Sequence, residues 1–360
     1  MSDIKQKYEL LDFRHVDTKE LFLEFPQTIY DDDCPQDYIT EKQILRHSHI
    51  LSQDITVFPY VVIDERDRVV CRCLLTYYDN DATGYVGFFE AKNNIHAVKK
   101  MFAAVEKKAV RDGKTRLLGP VDASIYINYR FKVDRFDKVY TGEPYNKSYY
   151  PELWEKCGFV VSDRYISNQL RKVEEADIDT RLQRVYDRYV QKGYQFVQPK
   201  SKRDFHRHLV DVYHLMMETY SDFSGYKMLS EQQFVAMFSP IRKVLNYEMV
   251  KLAYKDDKLC AFCISLPNYG GLTRGELTVE KLLKISKIKK KPSEYIVLYV
   301  GADKKSAGVG SALIHDVRGV LYRNQCTSIG ALIKEGNLTG ELYKDLYTDV
   351  FHYSLYSKTI

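Results

Sequence analysis

The residues with the clearest chemical use lie between Tyr295 and Ser311. An apolar run, Tyr295 to Val300, reads as a buried strand. Lys305-Ser306-Ala307-Gly308-Val309-Gly310-Ser311 then leads into a stretch with Ala312, Leu313, Val317, Val320 and Leu321 at helical spacing. Glycine lets the backbone fold tightly enough for successive N–H groups to converge. A helix N-terminus adds unpaired donors and a partial positive charge. Such a loop suits a pyrophosphate. No Gly-Lys-Ser/Thr follows, so it is not a Walker loop. Gly308-Val309-Gly310 also lacks the third glycine of the dinucleotide fingerprint.

Other constellations carry weaker signals. Cys260-Ala261-Phe262-Cys263 and Cys71-Arg72-Cys73 bring thiols close together, but no histidine stands at ligand spacing beside them. Core packing is expected there, and no metal. His206, His208 and His214 share a helix with polar neighbours and read as a solvated face. Lys281, Lys284, Lys287, Lys289, Lys290 and Lys291 form a basic segment ending at Pro292. It could meet phosphates, a carrier-protein helix or RNA, although without interleaved aromatics a solvated connector is the plainer account. Tyr220-Ser221-Asp222-Phe223-Ser224-Gly225-Tyr226 suits an amine, through cation–π attraction and a carboxylate partner, and equally suits a helix–helix turn.

These residues need elements to position them, and the chain supplies the same rhythm twice. In the first half, Tyr60 to Ile63 and Val69 to Tyr77 read as a hairpin turning through Asp64-Glu65-Arg66-Asp67, and Gly84 to Glu90 as a third strand. Ile95, Val98, Phe102, Val105 and Ala109 mark a helix ending at Asp112-Gly113. Arg116 to Leu118 is a strand, Tyr150 to Cys157 a short helix, and Phe159 to Leu170 a closing strand. In the second half, helices carry Phe205 to Met216 and Phe234 to Val244, and strands follow at 247–254 and 259–266. The strand at 295–300 and its helix come next, then a strand at 328–333, a helix with Leu338, Leu342 and Leu346, and a strand at 351–356. The polar run from Arg171 to Thr180 joins the halves. The expectation is an α/β (α+β) fold of two tandem domains, 1–172 and 173–360, each a mixed, mostly antiparallel sheet flanked by helices.

That order resembles the GNAT acyltransferase superfamily. The resemblance is carried by the strand, by Lys305-Ser306-Ala307-Gly308-Val309-Gly310, and by the helix with Leu313-Ile314. It continues through Glu335-Gly336-Asn337, which opens a helix with Leu342-Tyr343. The family's loop reads Arg/Gln-x-x-Gly-x-Gly/Ala; here Lys305 takes the first position, keeping the charge and losing the usual side-chain geometry. In the first half, Gly87-Phe88-Phe89-Glu90, Gly119-Pro120-Val121-Asp122-Ala123-Ser124 and Pro144-Tyr145-Asn146-Lys147 resemble a poorly characterised bacterial group of tandem GNAT-like proteins. The likeness runs from about residue 55 to 358.

The resemblance implies an N-acyltransferase that takes an acyl group, expected to be acetyl, from acetyl-CoA or another acyl-CoA and gives it directly to an amine. It implies donor contacts at Val300, Lys305, Ser306, Gly308, Val309, Gly310, Ser311 and Asn337. Tyr343, one residue off the family's position, would return a proton to the leaving thiolate, and Asp222 or Glu335 would serve as base. The first half's loop, Glu90 to Ile95, has no glycine, so the donor is assigned to the second half. Asp122, Ser124, Asn128, Tyr145, Asn146 and Tyr226 are expected to face the acceptor, a small-molecule or peptide amine, although turn chemistry alone would account for several of them. Two other readings stay open: a transferase using aminoacyl-tRNA or an acyl carrier protein, and a non-catalytic GNAT-like binding module.

Composition bounds the rest. The chain has 360 residues, 45% hydrophobic and 29% charged, which is ordinary globular composition, and no run approaches the ~20 apolar residues of a membrane helix. Seven irregularly spaced cysteines and no visible signal peptide suggest reduced thiols and a cytoplasmic home. A net charge of +5 is too small for a general nucleic-acid binder. No DNA and no membrane partner is expected, RNA or a carrier protein stays open, and the state is monomer or homodimer. Thirty tyrosines are many, and compositional bias is the plain explanation.

Overall fold

The computed structural model describes residues 7–30, 34–178, 180–275, 277–306, 308–336 and 344–360. The first half contains β1 (Glu9–Leu11), α1 (Thr18–Glu24), α2 (Tyr38–Leu45), β2 (Ile55–Ile63), β3 (Val69–Tyr78), β4 (Thr83–Ala91), α3 (Ile95–Arg111), β5 (Arg116–Gly119), β6 (Phe131–Lys132), α4 (Tyr150–Glu155) and β7 (Val160–Leu170). The hairpin at Asp64 forms for a local reason. Its carboxylate accepts hydrogen bonds from the amides of Arg66 and Arg68, and Asp67 takes a positive φ of 55°. The Asn94 side chain caps α3 by accepting from His96 and Ala97. Ala97, Val98, Met101, Phe102, Val105 and Ala109 bury the helix's apolar stripe.

The second half repeats the order with α5 (Thr180–Gln191), β8 (Gln195–Val197), α6 (Lys202–Thr219), α7 (Glu231–Phe238), β9 (Val250–Lys255), β10 (Lys258–Pro267), α8 (Val279–Lys290), β11 (Glu294–Ala302), α9 (Val309–Asn324), β12 (Thr327–Lys334) and β13 (Tyr347–Thr359). Some expected boundaries move. The helix expected through Val244 ends at Phe238 and continues as a 3-10 turn, because Pro240 cannot donate to a helical ladder. Tyr247 to Met249 is a further 3-10 turn, so that strand begins at Val250. The lysine segment read as a connector is α8. Of the helix expected around Leu338, residues 337–343 lie outside the described residues.

All the strands join one 13-stranded sheet, in the order β1-β2-β3-β4-β5-β13-β7-β12-β11-β10-β9-β8, with β6 beside β13. The halves exchange strands at its centre. β13, from the second half, pairs with β5 and β7 of the first, while β7 pairs with β12 of the second. Each half therefore has five strands of its own followed by the same two central strands in opposite order. The boundary expected at 172 falls just after β7.

One face of the sheet carries a single core that crosses the junction, joining Phe22 and Leu45 from α1 and α2 to Phe205, Met216 and Phe234 from α6 and α7. On the other face the cores are separate, around Trp154 and Phe102 in the first half and Val309, Leu313 and Val317 in the second. Among the described residues, no helix is long and apolar enough to cross a membrane.

Candidate functional site

In the second half the parallel strands β11 and β12 pair from Glu294↔Thr327 to Val297↔Gly330 and then part. Both strands shift register against their outer neighbours at this point. β11 carries the extra residue Leu298 opposite Ile264 and Ser265, and β12 slips against β7 between Gly330 and Ile333. Bulges bend strands away from their partners. Leu332 takes a φ of +58°, costly for a branched side chain, and its amide donates to Ser167 Oγ at 2.9 Å. The segment Leu298 to Ala302 thus faces a divergence, and the Val300 carbonyl accepts from the Tyr220 hydroxyl at 3.5 Å.

Just beyond, the chain turns into α9. Gly308 is its N-cap with φ +95°, and no side chain caps the helix. A Cβ at Gly308 would meet the Tyr189 hydroxyl at 2.9 Å, whereas one at Gly310 would find its nearest neighbour, the Ala302 methyl, at 3.9 Å. Val309 is fully buried and anchors the turn, Ser306 Oγ accepts from Tyr194 at 3.1 Å, and the Ser311 amide donates to Gly308 O at 3.0 Å. Lys304 and Lys305 stand exposed on the rim. A glycine-lined helix start with adjacent cations fits an anionic pyrophosphate.

The first half closes the same divergence with its own chain. β4 and β5 pair from Thr83↔Arg116 to Tyr85↔Leu118, and the segment after cis-Pro120 then crosses the opening. The Val121 amide donates to Val86 O at 2.8 Å, and the Phe88 amide donates to the Asp122 carboxylate. Asn128 Nδ2 donates to the other Asp122 oxygen at 2.8 Å, and Tyr126 N to Ser124 Oγ at 3.3 Å. A carboxylate oxygen therefore occupies the amide at the β4 bulge, which in the second half corresponds to the Tyr299–Val300 stretch. Burial pushes the Asp122 carboxyl up to about 6.

The expected acceptor residues do not form one cluster. Asp122, Ser124 and Asn128 bind one another within this plug. Tyr226 lies next to it, because Gly225 on the α6–α7 turn packs against Ile125, Leu118 and Tyr85, and its hydroxyl donates to Met217 O at 2.8 Å. Asn146 bonds the Lys132 backbone through both amide atoms, and Tyr145 stacks under Arg274, 4.2 Å from the ring centre. Asp222 is largely exposed and faces Lys304 at 3.6 Å. Glu335 is exposed at the end of β12, and its amide donates to Arg164 O. Asn337 and Tyr343 lie outside the described residues.

The structure adds Tyr129, Arg130 and Tyr165 to residues already singled out in the sequence, Tyr220 and Phe223 of the aromatic-acidic segment and Tyr299 of the apolar run. Tyr129, Tyr165, Tyr220, Phe223 and Tyr299 gather around Arg130 beside the divergence. A groove of about 970 Å³ between the halves, lined by His47, His49, Tyr126, Ile127 and Met237, borders this cluster. From its edge Tyr126 packs edge-on to Phe238, which packs on Tyr299. The count of thirty tyrosines was the available signal; their convergence required the fold.

A second carboxyl, partly buried, lies across the first half. Glu90 accepts from Tyr150 at 2.6 Å, and burial raises it to about 7. A carboxyl raised on folding favours the native state below its unfolded value and loses that contribution as pH rises through the folded value. Glu90→Gln is therefore expected to melt at the same temperature as wild type near pH 4.5 and several degrees higher at pH 8, read by thermal unfolding across that range.

No family model matches the sequence, and no curated protein matches it. Solved structures do. A tandem GNAT protein from the clavulanic acid biosynthesis pathway, in a structure without acetyl-CoA, aligns over 98% of both chains with a TM-score of 0.52 and 12% identity. The GCN5-related glucosamine N-acetyltransferase region of a fungal multi-domain GH3 β-N-acetylglucosaminidase aligns over 98% of this chain with a TM-score of 0.51 and 12% identity. The chain spans 38% of that fungal chain. With its order of elements, its paired divergences and its shared sheet, the chain has the tandem GNAT fold.

Proposed function

We propose that the second half binds acyl-coenzyme A in the divergence of β11 and β12 and transfers the acyl group to an amine. The observation that carries this reading is the contrast between the halves. Both contain the divergence, but in the first the segment after β5 crosses it and the Asp122 carboxylate takes the Phe88 amide, whereas among the described residues only the second places an uncapped, glycine-opened helix beyond it. The pyrophosphate would lie on the amides around Gly308 to Ser311, with Lys305 beside it. The thioester carbonyl would take the amide near Val300, an oxyanion-type contact. The amine nitrogen then attacks that carbonyl, the C–N bond forms as the C–S bond breaks, and the thiolate leaves. Asp222 and Glu335 both reach solvent and are the candidate bases through water, and Tyr343 is the candidate acid. Holding donor and acceptor in one cleft supplies the proximity contribution.

Calorimetry with acetyl-CoA tests the reading. Gly310→Asp is the informative variant, because it adds a carboxylate where space exists, whereas any side chain at Gly308 is strained by its positive φ. We expect at least a ten-fold loss of affinity with an unchanged melting temperature. Equal binding by both proteins would overturn the assignment. A second reading keeps the chemistry and changes the carrier. α8 presents Lys284, Lys287 and Lys290 with exposed Val279, Leu282 and Leu283, a surface suited to an acidic carrier-protein helix. Turnover with an acyl carrier protein, and none with acyl-CoA, would favour it.

A further inference from the structure

Arg130 is 95% buried, since its relative exposure is 5%, yet no carboxylate lies within 4 Å of it among the described residues. Its Nε donates to the Tyr129 carbonyl at 3.2 Å, while Nη1 is buried without a hydrogen-bond partner. Its guanidinium lies between two aromatic faces, 3.7 Å from the Tyr129 ring centre and 4.2 Å from that of Tyr165. Two other buried cations are paired with carboxylates, Arg72 with Glu41 at 2.7 Å and Lys132 with Glu143 at 2.7 Å, and a third, Lys251, donates to the Gln198 side-chain oxygen at 2.8 Å. A buried charge without a counter-ion is costly, and a satisfied site would not leave Nη1 idle. The backbone is strained here too, with Arg130 at φ +73°.

The location connects this cation to the cleft. Arg130 ends the plug that closes the first half, and its charge partly offsets the rise in the Tyr299 phenol, which burial still pushes up to about 12. Tyr299 belongs to the diverging part of β11. Phe223, from the α6–α7 turn, stacks on Tyr165, with 6.4 Å between ring centres.

We propose that Arg130 is the anion-recognition element of the acceptor site, and that the acceptor is an amine that also carries a carboxylate. The proposal rests on the acyltransfer reading for the word acceptor, but not for the anion site itself. Planar guanidinium matches carboxylate bidentately, and the flanking tyrosines hold its plane. The amine end of such a molecule would extend toward β11, where the acyl carbonyl would lie.

Matched probes test this without acyl donor: L-phenylalanine against 2-phenylethylamine, and L-lysine against cadaverine, each followed by thermal shift and calorimetry on the full chain. We expect only the carboxylate member of each pair to bind, and Arg130→Gln to weaken it at least ten-fold. Arg130→Lys, which keeps the charge, should retain part of the affinity and guards against misfolding of the first variant. Equal binding of the decarboxylated probes, no binding by any carboxylate, or wild-type affinity in a folded Arg130→Gln protein would overturn the proposal. Acetyl-CoA calorimetry on Arg130→Gln separates the two readings. Intact donor binding with lost carboxylate binding supports the acceptor site, and carboxylate binding in a protein that binds no thioester refutes the transferase reading alone.

Discussion

Glu143→Ala is expected to cost about 3–5 kcal/mol of folding stability, among the largest single-residue losses in the chain. Both side chains of the Lys132–Glu143 pair are fully buried, and Glu143 Oε1 accepts from Lys132 Nζ and the Tyr353 hydroxyl, each at 2.7 Å. Removing the carboxylate leaves a desolvated ammonium in the middle of the sheet. The loss should extend to the cleft. Tyr353 bonds Tyr140 at 3.0 Å, Tyr140 bonds Ser167 at 2.8 Å, and Ser167 accepts from the amide of Leu332 on the β12 bulge. Urea unfolding gives the magnitude. The double variant Lys132→Met/Glu143→Leu should recover most of it, since an apolar pair of similar volume removes both desolvation costs. If Glu143→Ala costs under about 1 kcal/mol, the pair is solvated and this account of the junction fails.

Gly87→Ala is expected to be nearly as damaging for a different reason. A Cβ there would lie 1.9 Å from the carbonyl oxygen of Val121 and 2.7 Å from the Asp122 Cα, both backbone atoms. Neither can rotate away, so the plug from Val121 to Arg130 has to leave β4. Overpacking usually costs about 1–3 kcal/mol, and forced backbone displacement lies at or above the top of that range. The expected result is a loss of about 3 kcal/mol with a specific functional pattern. Carboxylate binding at Arg130 should fall, while acetyl-CoA binding at Gly308 to Ser311, on the other half, persists at conditions where the protein stays folded. A Gly87→Ala protein with wild-type melting temperature would show that the plug is loosely held.

The elements that were legible in the sequence are those specified locally. The Asp64 turn, the α3 stripe and the Gly308 helix start are fixed by residues within one or two turns of each other, and the structure places each as expected. Strand partners were less accessible. Nothing near Tyr347 says that Tyr356 will lie opposite Gly119, because that pairing depends on the sheet edges both halves leave open. The Asp122 cluster illustrates a separate limit. Polar residues around Gly119-Pro120 are compatible with a ligand or with a turn, and only the fold shows that the carboxylate has internal partners, the Phe88 amide and the Asn128 side chain. Arg130 stood in the sequence among three tyrosines, Tyr126, Tyr129 and Tyr140. That no carboxylate pairs with it among the described residues depends on the fold, which no composition reveals.

The exchange of β13 bears on how the chain is made. β5 and β7 are synthesised early, yet the strand that fills the space between them follows β12, so at 5–20 residues per second it emerges on the order of ten seconds or more after β5. During that interval the first half has two unsatisfied edges, the condition in which sheets recruit neighbouring chains. A ribosome that stalls between β12 and β13 would release a polypeptide containing the glycine loop and its helix and lacking the strand that seals the centre. Such nascent chains should depend on chaperones, and slowing translation over the last stretch should raise the aggregated fraction while leaving the finished protein's melting temperature untouched.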